Sequence, residues 1–345
     1  MQALTISGHG ALDRVECRDD LPIPDIVGAT DVRIRVRAAA LNHLDLFVVR
    51  GLPGVTIVPP WVLGADACGV IDVVGRDVIG LSAGDLVIVN PGLSDRTCQY
   101  CLAGEQPLCP RFRLLGEHAP GTIAEYVVVP ATNVRAIPPN ISVEHAAAFT
   151  LTTLTAWRMV MSRARVQAGE DVLIWGIGGG VALAALQICK QLGARVWAVS
   201  SSDDKLKRAG TMGADELLNR NDVDVAAVIR DRTAKRGVDV VIDNAGAATW
   251  NQSLRALGRR GRLVTCGATS GPIVETDVRR LFWNQWTIMG STMGNDAEFD
   301  AVVSELIAGR LLPIVDSVFP LAEGRAAFER LQRGEQFGKV VVRVS

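Results

Sequence analysis

Val172-Leu173-Ile174-Trp175-Gly176-Ile177-Gly178-Gly179-Gly180-Val181-Ala182 is the stretch from which the rest of the chain can be read. A short apolar run without alternation leads into a glycine cluster and then into an amphipathic segment, 181–192, stopped by Gly193. Strand, turn and helix start in that order make an anion site. Backbone N–H groups point outward, the helix dipole favours negative charge, and the missing side chains let a pyrophosphate approach. Gly176, Gly178, Gly179, Gly180 and Val181 are therefore expected to hold a dinucleotide. Outward from this point, apolar runs recur at 171–175, 195–199, 214–218, 238–243, 262–266 and 287–291, mostly separated by helical stretches. Unbroken apolar strands alternating with helices predict a parallel sheet covered on both faces, and six of them match a doubly wound fold.

The end of the second strand bears on which dinucleotide binds. An NAD site needs a carboxylate there for the ribose 2′-OH. The sequence offers Ser200-Ser201-Ser202 instead, with Lys205 one helical turn on. Hydroxyls and a lysine suit a 2′-phosphate, so the expected cofactor is NADP(H). Asp203 and Asp204 argue the other way, but they also read as helix-cap and first-turn acids.

Before residue 141 the pattern differs. Asp31-Val32-Arg33-Ile34-Arg35-Val36-Arg37 alternates as a half-buried antiparallel strand does, and 85–89 and 126–129 are further strands ended by Pro-containing turns. A β-rich, barrel-like domain is expected there. The last fifty or so residues carry a helix at 296–308 and a strand at 339–344, expected to return to that domain. At 345 residues and 48% apolar composition the chain has material for two cores and is not disordered. Its 36 Lys+Arg balance 37 Asp+Glu, which argues against nucleic acid or an anionic membrane as partner. No apolar run approaches a membrane span, no signal-peptide pattern opens the chain, and seven scattered cysteines do not suggest a secreted disulfide framework. A reducing cytoplasm is the expected location.

Three of the cysteines are bunched. Asp95-x2-Cys98-x2-Cys101-x7-Cys109 lies in a turn-rich loop, where three thiolates and a carboxylate can close a tetrahedral shell around Zn²⁺. With all four positions taken by side chains, such a site is structural. Asp95 equally reads as a solvated turn aspartate.

Together with Asn42-His43-Leu44-Asp45, Leu63-Gly64-Ala65-Asp66, Ala124-Glu125-Tyr126, Leu154-Thr155-Ala156-Trp157 and Phe337-Gly338-Lys339-Val340-Val341, these motifs resemble the zinc-type medium-chain dehydrogenase/reductase superfamily. Its branches include alcohol dehydrogenases, quinone oxidoreductases of the zeta-crystallin type and enoyl reductases. The resemblance spans essentially the whole chain. It implies an α/β protein with two domains and an active site in the cleft between them. One is a GroES-like catalytic domain over 1–140 and 291–345, carrying the structural zinc loop at about 92–112. The other is a Rossmann NADP(H)-binding domain over 141–290, with six parallel strands in the order 3-2-1-4-5-6. It also implies a homodimer across the last Rossmann strand. By the same resemblance Thr155 packs near the nicotinamide, while Asn244, Gly267, Ala268 and Thr269 line the cofactor. Arg220 flanks the adenosine phosphate, and Lys339 reaches the pyrophosphate or ribose. Thr155 also reads as a core-facing helix residue, and Lys339 as a solvated strand charge.

The chain departs from the family at two metal sites. The structural loop has Asp95 where four cysteines are usual. At the catalytic zinc, alcohol dehydrogenases carry a Cys-His-Thr-Asp run where this chain has Asn42-His43-Leu44-Asp45. Their Gly-His-Glu is Gly64-Ala65-Asp66 here, and the second cysteine ligand falls near Leu151. Thiolate and imidazole are both lost from those places, which leaves Zn²⁺ little to hold it. The expected activity is hydride transfer from NADPH to a small electrophile, a quinone or an α,β-unsaturated carbonyl, with one structural zinc per chain. Asn42 and His43 are expected to donate to the developing oxyanion, and Asp45 to orient them. Phe47 stands where several relatives carry a tyrosine, so water is a candidate proton donor. Two alternatives remain: an alcohol or aldehyde dehydrogenase with a metal site rebuilt from His43, Asp45, Asp66 and His118, and a non-enzymatic, crystallin-like NADPH binder.

Overall fold

The computed structural model describes residues 1–344. They form two compact units, Met1–Leu151 with the residues from Asn295 onward, and Thr152–Gly294. The sequence pattern placed the crossings at 140/141 and 290/291. Helix Val143–Ala147 packs on strands Asp31–Ala40 and Asp66–Val74, which keeps it with the first unit.

In the second unit six strands lie side by side in the order Glu216–Asn219, Arg195–Ser200, Asp171–Ile174, Val238–Asp243, Leu257–Thr265 and Thr287–Gly290, all parallel. In chain order that is 3-2-1-4-5-6, as expected. Val172 pairs with Val196 on one side and Val240 on the other. Leu173, Trp197, Val199, Val241 and Leu263 fill the core beneath the covering helices. A buried carboxylate, Asp171, ties the amino ends of the strands, accepting from Trp197 Nε1 at 2.6 Å and pairing with Arg236. At the carboxyl end of the same strand the chain enters the glycine turn.

The first unit is a seven-stranded sheet with the order Val134–Ala136, Leu86–Val89, Asp66–Val74, Asp31–Ala40, Lys339–Arg343 and Val315–Pro320, and with Tyr126–Pro130 also paired to Asp31–Ala40. Alternation explains the central strand: Val32, Ile34 and Val36 are fully buried, while the arginines between them reach outward. Two registers then converge at its end. Asp66 sits opposite Ala40 on one side, and Val341 sits opposite Ala40 on the other, with Leu41 N–H donating to Val340 O at 2.9 Å. Residues 273 positions apart in sequence, Asp66 and Lys339, thereby reach Asn42 together. Leu93 and Arg113 pair across a two-stranded ribbon that closes the cysteine loop.

Candidate functional site

The end of that central strand carries a buried polar cluster. Asn42 precedes helix His43–Arg50, and its backbone N–H donates to Asp45 Oδ2 at 2.7 Å. Its side-chain nitrogen donates to Asp66 Oδ2 at 3.0 Å and to Ala40 O at 3.4 Å. Its side-chain oxygen accepts from Lys339 Nζ at 2.5 Å, and the same ammonium lies 3.0 Å from Asp66 Oδ2. Asp66 Oδ1 accepts from Leu151 N at 2.7 Å, in the first turn of helix Thr150–Trp157. Asn42, Asp45, Asp66 and Lys339 are each at most 5% exposed, so these charges answer to one another and not to solvent. Burial pushes the Asp45 carboxyl up to about 7. The N–H groups of Asn42 and Gly64 and the nearby Lys339 oppose that rise, and Asp66 adds to it.

This arrangement corrects two expectations. Asn42 has no amide hydrogen left for a substrate oxygen, because both are taken within the cluster. Lys339 is not a solvated strand charge, since its ammonium is held by Asn42 and Asp66. Asp45 lies under the Asn42 backbone, whose N–H it accepts. His43 is exposed at the start of its helix, and His118 is exposed with Nδ1 accepting from Leu114 N at 3.4 Å.

In the second unit the glycine turn has the backbone that the sequence anticipates. Gly176 and Gly178 have φ of +72° and +112°, and Gly179 caps helix Gly180–Gln191, leaving its first amides free of side-chain partners. A Cβ on Gly176 would meet Asn244 Oδ1 at 3.1 Å, and one on Gly267 would meet Asn244 O at 2.9 Å. Gly176, Asn244 and Gly267 thus converge at the carboxyl ends of neighbouring strands, with Ala268 and Thr269 exposed beside them. Asp243 secures the turn below: fully buried, it accepts from the N–H of Ala245 and Gly246 and the hydroxyls of Thr249 and Ser253. Thr155 is buried, with its hydroxyl 3.8 Å from Met293 Sδ. At the end of the second strand Ser200 is buried and accepts from Ser202 N, Ser202 caps the next helix through Lys205 N, and Ser201 and Arg220 are exposed. Asp203 and Asp204 fall in the first turn of that helix, and Asp203 is occupied by Asn219 Nδ2 at 2.8 Å. Their cap-and-turn reading fits this geometry.

The ligand atoms of Asp95, Cys98, Cys101 and Cys109 all lie within 4.8 Å of one another. Among the described residues no other group of three or more His, Cys, Asp or Glu side chains converges in this way. Asp95 Oδ1 accepts from the N–H of Cys98 and Thr97, both at 2.9 Å, and these bonds hold its carboxyl far below the usual carboxylate range. Burial raises Cys109, but the N–H groups of Asp95 and Arg111 aimed at its sulfur bring it below the usual thiol value. Three sulfurs and one ionised oxygen in a closed group fit Zn²⁺ in a structural role. The cluster at Asn42 does not fit a catalytic zinc. Its donors are amide and carboxylate oxygens without thiolate or imidazole, and an ammonium already sits among them. His43, Asp45, Asp66 and His118 do not assemble into a replacement.

Sequence reasoning missed the Lys339–Asp66 pairing. The available signal was two opposite charges, each flanked by apolar residues in strands that had to be buried.

Residues 28–139 match the family model described as alcohol dehydrogenase GroES-like domain, and residues 180–308 match the one described as zinc-binding dehydrogenase. The chain is 32% identical over 333 residues to the NAD-dependent alcohol dehydrogenase of Sulfurisphaera tokodaii, covering 94% of this chain and 95% of that protein. It is 31% identical to the acryloyl-coenzyme A reductase of Metallosphaera sedula, covering 99% of each. A crystal structure of an NAD-dependent alcohol dehydrogenase superposes with a TM-score of 0.95 at 42% identity, over the full length of both chains. With both domain models, full-length relatives and the 3-2-1-4-5-6 sheet in agreement, the chain belongs to the medium-chain dehydrogenase/reductase superfamily and is an oxidoreductase of its zinc-type alcohol dehydrogenase group.

Proposed function

We propose that this protein reduces a quinone or an α,β-unsaturated carbonyl with NADPH, holding one structural zinc and using no catalytic zinc. The observation that carries this reading is the composition of the Asn42 cluster, in which an internal ammonium and amide replace the donors that a catalytic zinc needs. An acceptor whose new negative charge is delocalised makes a smaller demand on a Lewis acid than an alkoxide does. The likeness to a protein named acryloyl-coenzyme A reductase supports the acceptor class, since that name describes an activated alkene. Bound NADPH would supply the hydride that such an acceptor takes up at its β-carbon, with water as the source of the proton.

This chain's residues then have separate tasks. The first amides of helix Gly180–Gln191, which follow Gly179, take the pyrophosphate, as helix N-termini do. Ser201, Arg220 and Lys205, around the strand end where no carboxylate stands, take the 2′-phosphate, with Ser200 and Ser202 shaping the turn. Thr155, Asn244, Gly267, Ala268 and Thr269 line the nicotinamide half. Asp95, Cys98, Cys101 and Cys109 hold zinc as a cross-link of the loop. His43 is a further donor for the substrate or the cofactor phosphate.

A homodimer is part of the proposal. Strand Thr287–Gly290 is an unpaired sheet edge, and the neighbouring helix Val278–Asn284 buries none of its residues, leaving Phe282 64% and Trp283 74% exposed. Apolar side chains beside an open edge favour a second copy. A cytoplasmic location is proposed on the reduced cysteines the zinc loop requires; no helix here is long and apolar enough to cross a membrane.

Metal analysis with an acceptor panel tests the reading. One zinc per chain, with NADPH oxidation by quinones, enones or enoyl thioesters, is expected. Two zinc ions with alcohol oxidation would establish the dehydrogenase reading that the relatives' names favour.

A further inference from the structure

Resting on the cofactor reading, we propose that Asp243 is a positioning residue for the nicotinamide half of the dinucleotide. Its carboxylate sets the turn that carries Asn244, and through that turn it sets the neighbouring loop that carries Gly267, Ala268 and Thr269. All of these residues belong to the second unit.

Asp243 ends strand Val238–Asp243 and is fully buried. Its Oδ1 accepts from the N–H groups of Ala245 and Gly246 at 2.8 and 3.0 Å. Its Oδ2 accepts from the hydroxyls of Thr249 and Ser253 at 2.7 and 3.0 Å, both on helix Ala247–Ala256. One oxygen therefore fixes the backbone just after Asn244, and the other ties that backbone to the helix that follows. Among side chains of this length only a carboxyl can face both pairs of donors, because an amide turns an NH₂ toward one of them.

The second loop is locked onto the first. Ser270 N donates to Ala245 O at 2.8 Å, and Ala247 N donates to Gly271 O at 3.1 Å. The Ser270 hydroxyl donates to Ala245 O at 2.6 Å and accepts from Ala248 N at 3.0 Å. Glycine permits this approach: Gly246 has φ +84°, and a Cβ there would lie 2.7 Å from Gly271 O and 3.1 Å from Ala268 Cα. Cys266 N closes the base of the pair by donating to Asp243 O at 3.2 Å. The two loops are thus one piece, pinned at its base by Asp243. A surface ordered in advance spares the cofactor the cost of ordering it. Ser201 and Arg220, assigned to the adenosine half, follow the ends of other strands, Arg195–Ser200 and Glu216–Asn219, so loss of the Asp243 bonds should be felt at the nicotinamide half alone.

The test titrates full-length wild type, Asp243→Asn, Asp243→Ala and Ser270→Ala with NADPH and with 2′,5′-ADP, the fragment that lacks the nicotinamide half. Asp243→Asn keeps the size of the side chain and Ser270 is exposed, so these two variants still decide the matter if Asp243→Ala fails to fold. One hydrogen bond is worth roughly three- to tenfold in affinity. The NADPH Kd should rise by about that factor in Asp243→Asn and Ser270→Ala and by more in Asp243→Ala, while the 2′,5′-ADP Kd stays within about twofold of wild type. Equal weakening of NADPH and 2′,5′-ADP would make Asp243 a support of the whole domain and overturn the proposal. An NADPH Kd unchanged in every folded variant, with only Tm lowered, would overturn it equally. Wild type judges the cofactor reading separately, by parallel titration with NADH and 5′-ADP. Binding of that pair in place of the first would overturn the NADPH assignment, and Asp243 is then judged by the same ratio on the NADH pair. A wild type that binds neither pair would overturn both.

Discussion

Asp45 offers the most quantitative handle on the buried cluster. The residue is 1% exposed, and burial takes its carboxyl from the ordinary 3.8 to about 7. As pH rises, the unfolded chain gives up this proton near 4 while the folded chain keeps it to near 7. Between those values the folded state binds more protons, so this group's contribution to stability is full below about pH 4 and is lost as pH rises through about 7. A shift of about three units at 1.36 kcal/mol each amounts to roughly 4 kcal/mol in all. The perturbation is Asp45→Asn, which keeps an oxygen for the Asn42 N–H but cannot titrate. Urea unfolding of both proteins at pH 5, 6, 7 and 8 isolates the effect, because titrating groups remote from the buried cluster cancel in the difference. Relative to the variant, wild type should lose roughly 2.6 kcal/mol between pH 5 and 8, equivalent to roughly 4 °C in Tm for a chain of 345 residues. The steepest change should fall between pH 5 and 7. Two stability curves that stay parallel across this range would show that the carboxyl is ionised throughout, and that the buried cluster carries a different charge from the one described.

The other predictions concern separate parts of the molecule. Asp95→Ala should lower zinc affinity by more than the roughly tenfold that losing a ligand's supporting partner costs, as metal analysis after mild chelation would show; unchanged zinc content and Tm would remove Asp95 from the shell. Ser200→Asp places a carboxylate at the second strand end and should weaken NADPH by at least about tenfold, or 1.4 kcal/mol, while strengthening NADH, both read by fluorescence titration. Gly178→Val puts a branched side chain at φ +112° in the pyrophosphate turn and should abolish dinucleotide binding while far-UV circular dichroism keeps the wild-type signature. Trp283→Arg should shift the mass by light scattering to that of one chain; an unaltered dimer would point to another interface.

How much of this was legible in the sequence follows the range of the interactions. The Rossmann half was readable because its signals are local: apolar runs of strand length, helices stopped by glycine, and a turn whose residues need positive φ. The cysteine loop was legible for the same reason, since Asp95 to Cys109 spans fifteen residues closed by a short ribbon. The Asn42 cluster was not, because its members meet only through sheet register. Asp66 reaches Asn42 by pairing beside Ala40, and Lys339 reaches it from the far end of the chain by pairing on the opposite side of the same strand. Absence could be read locally, in the missing Cys and His, whereas what filled the gap could not. One physical rule links the two ends of the chain. A lysine and an aspartate in strands too apolar to be exposed must each find an opposite charge, since a lone buried ion costs several kcal/mol. With Arg33, Arg35 and Arg37 all alternating outward on the central strand, Lys339 is the cation left facing inward for Asp66. Their pairing across the end of that strand sets Asn42 between them, and with it the reason the Asn42 amide is unavailable to a substrate.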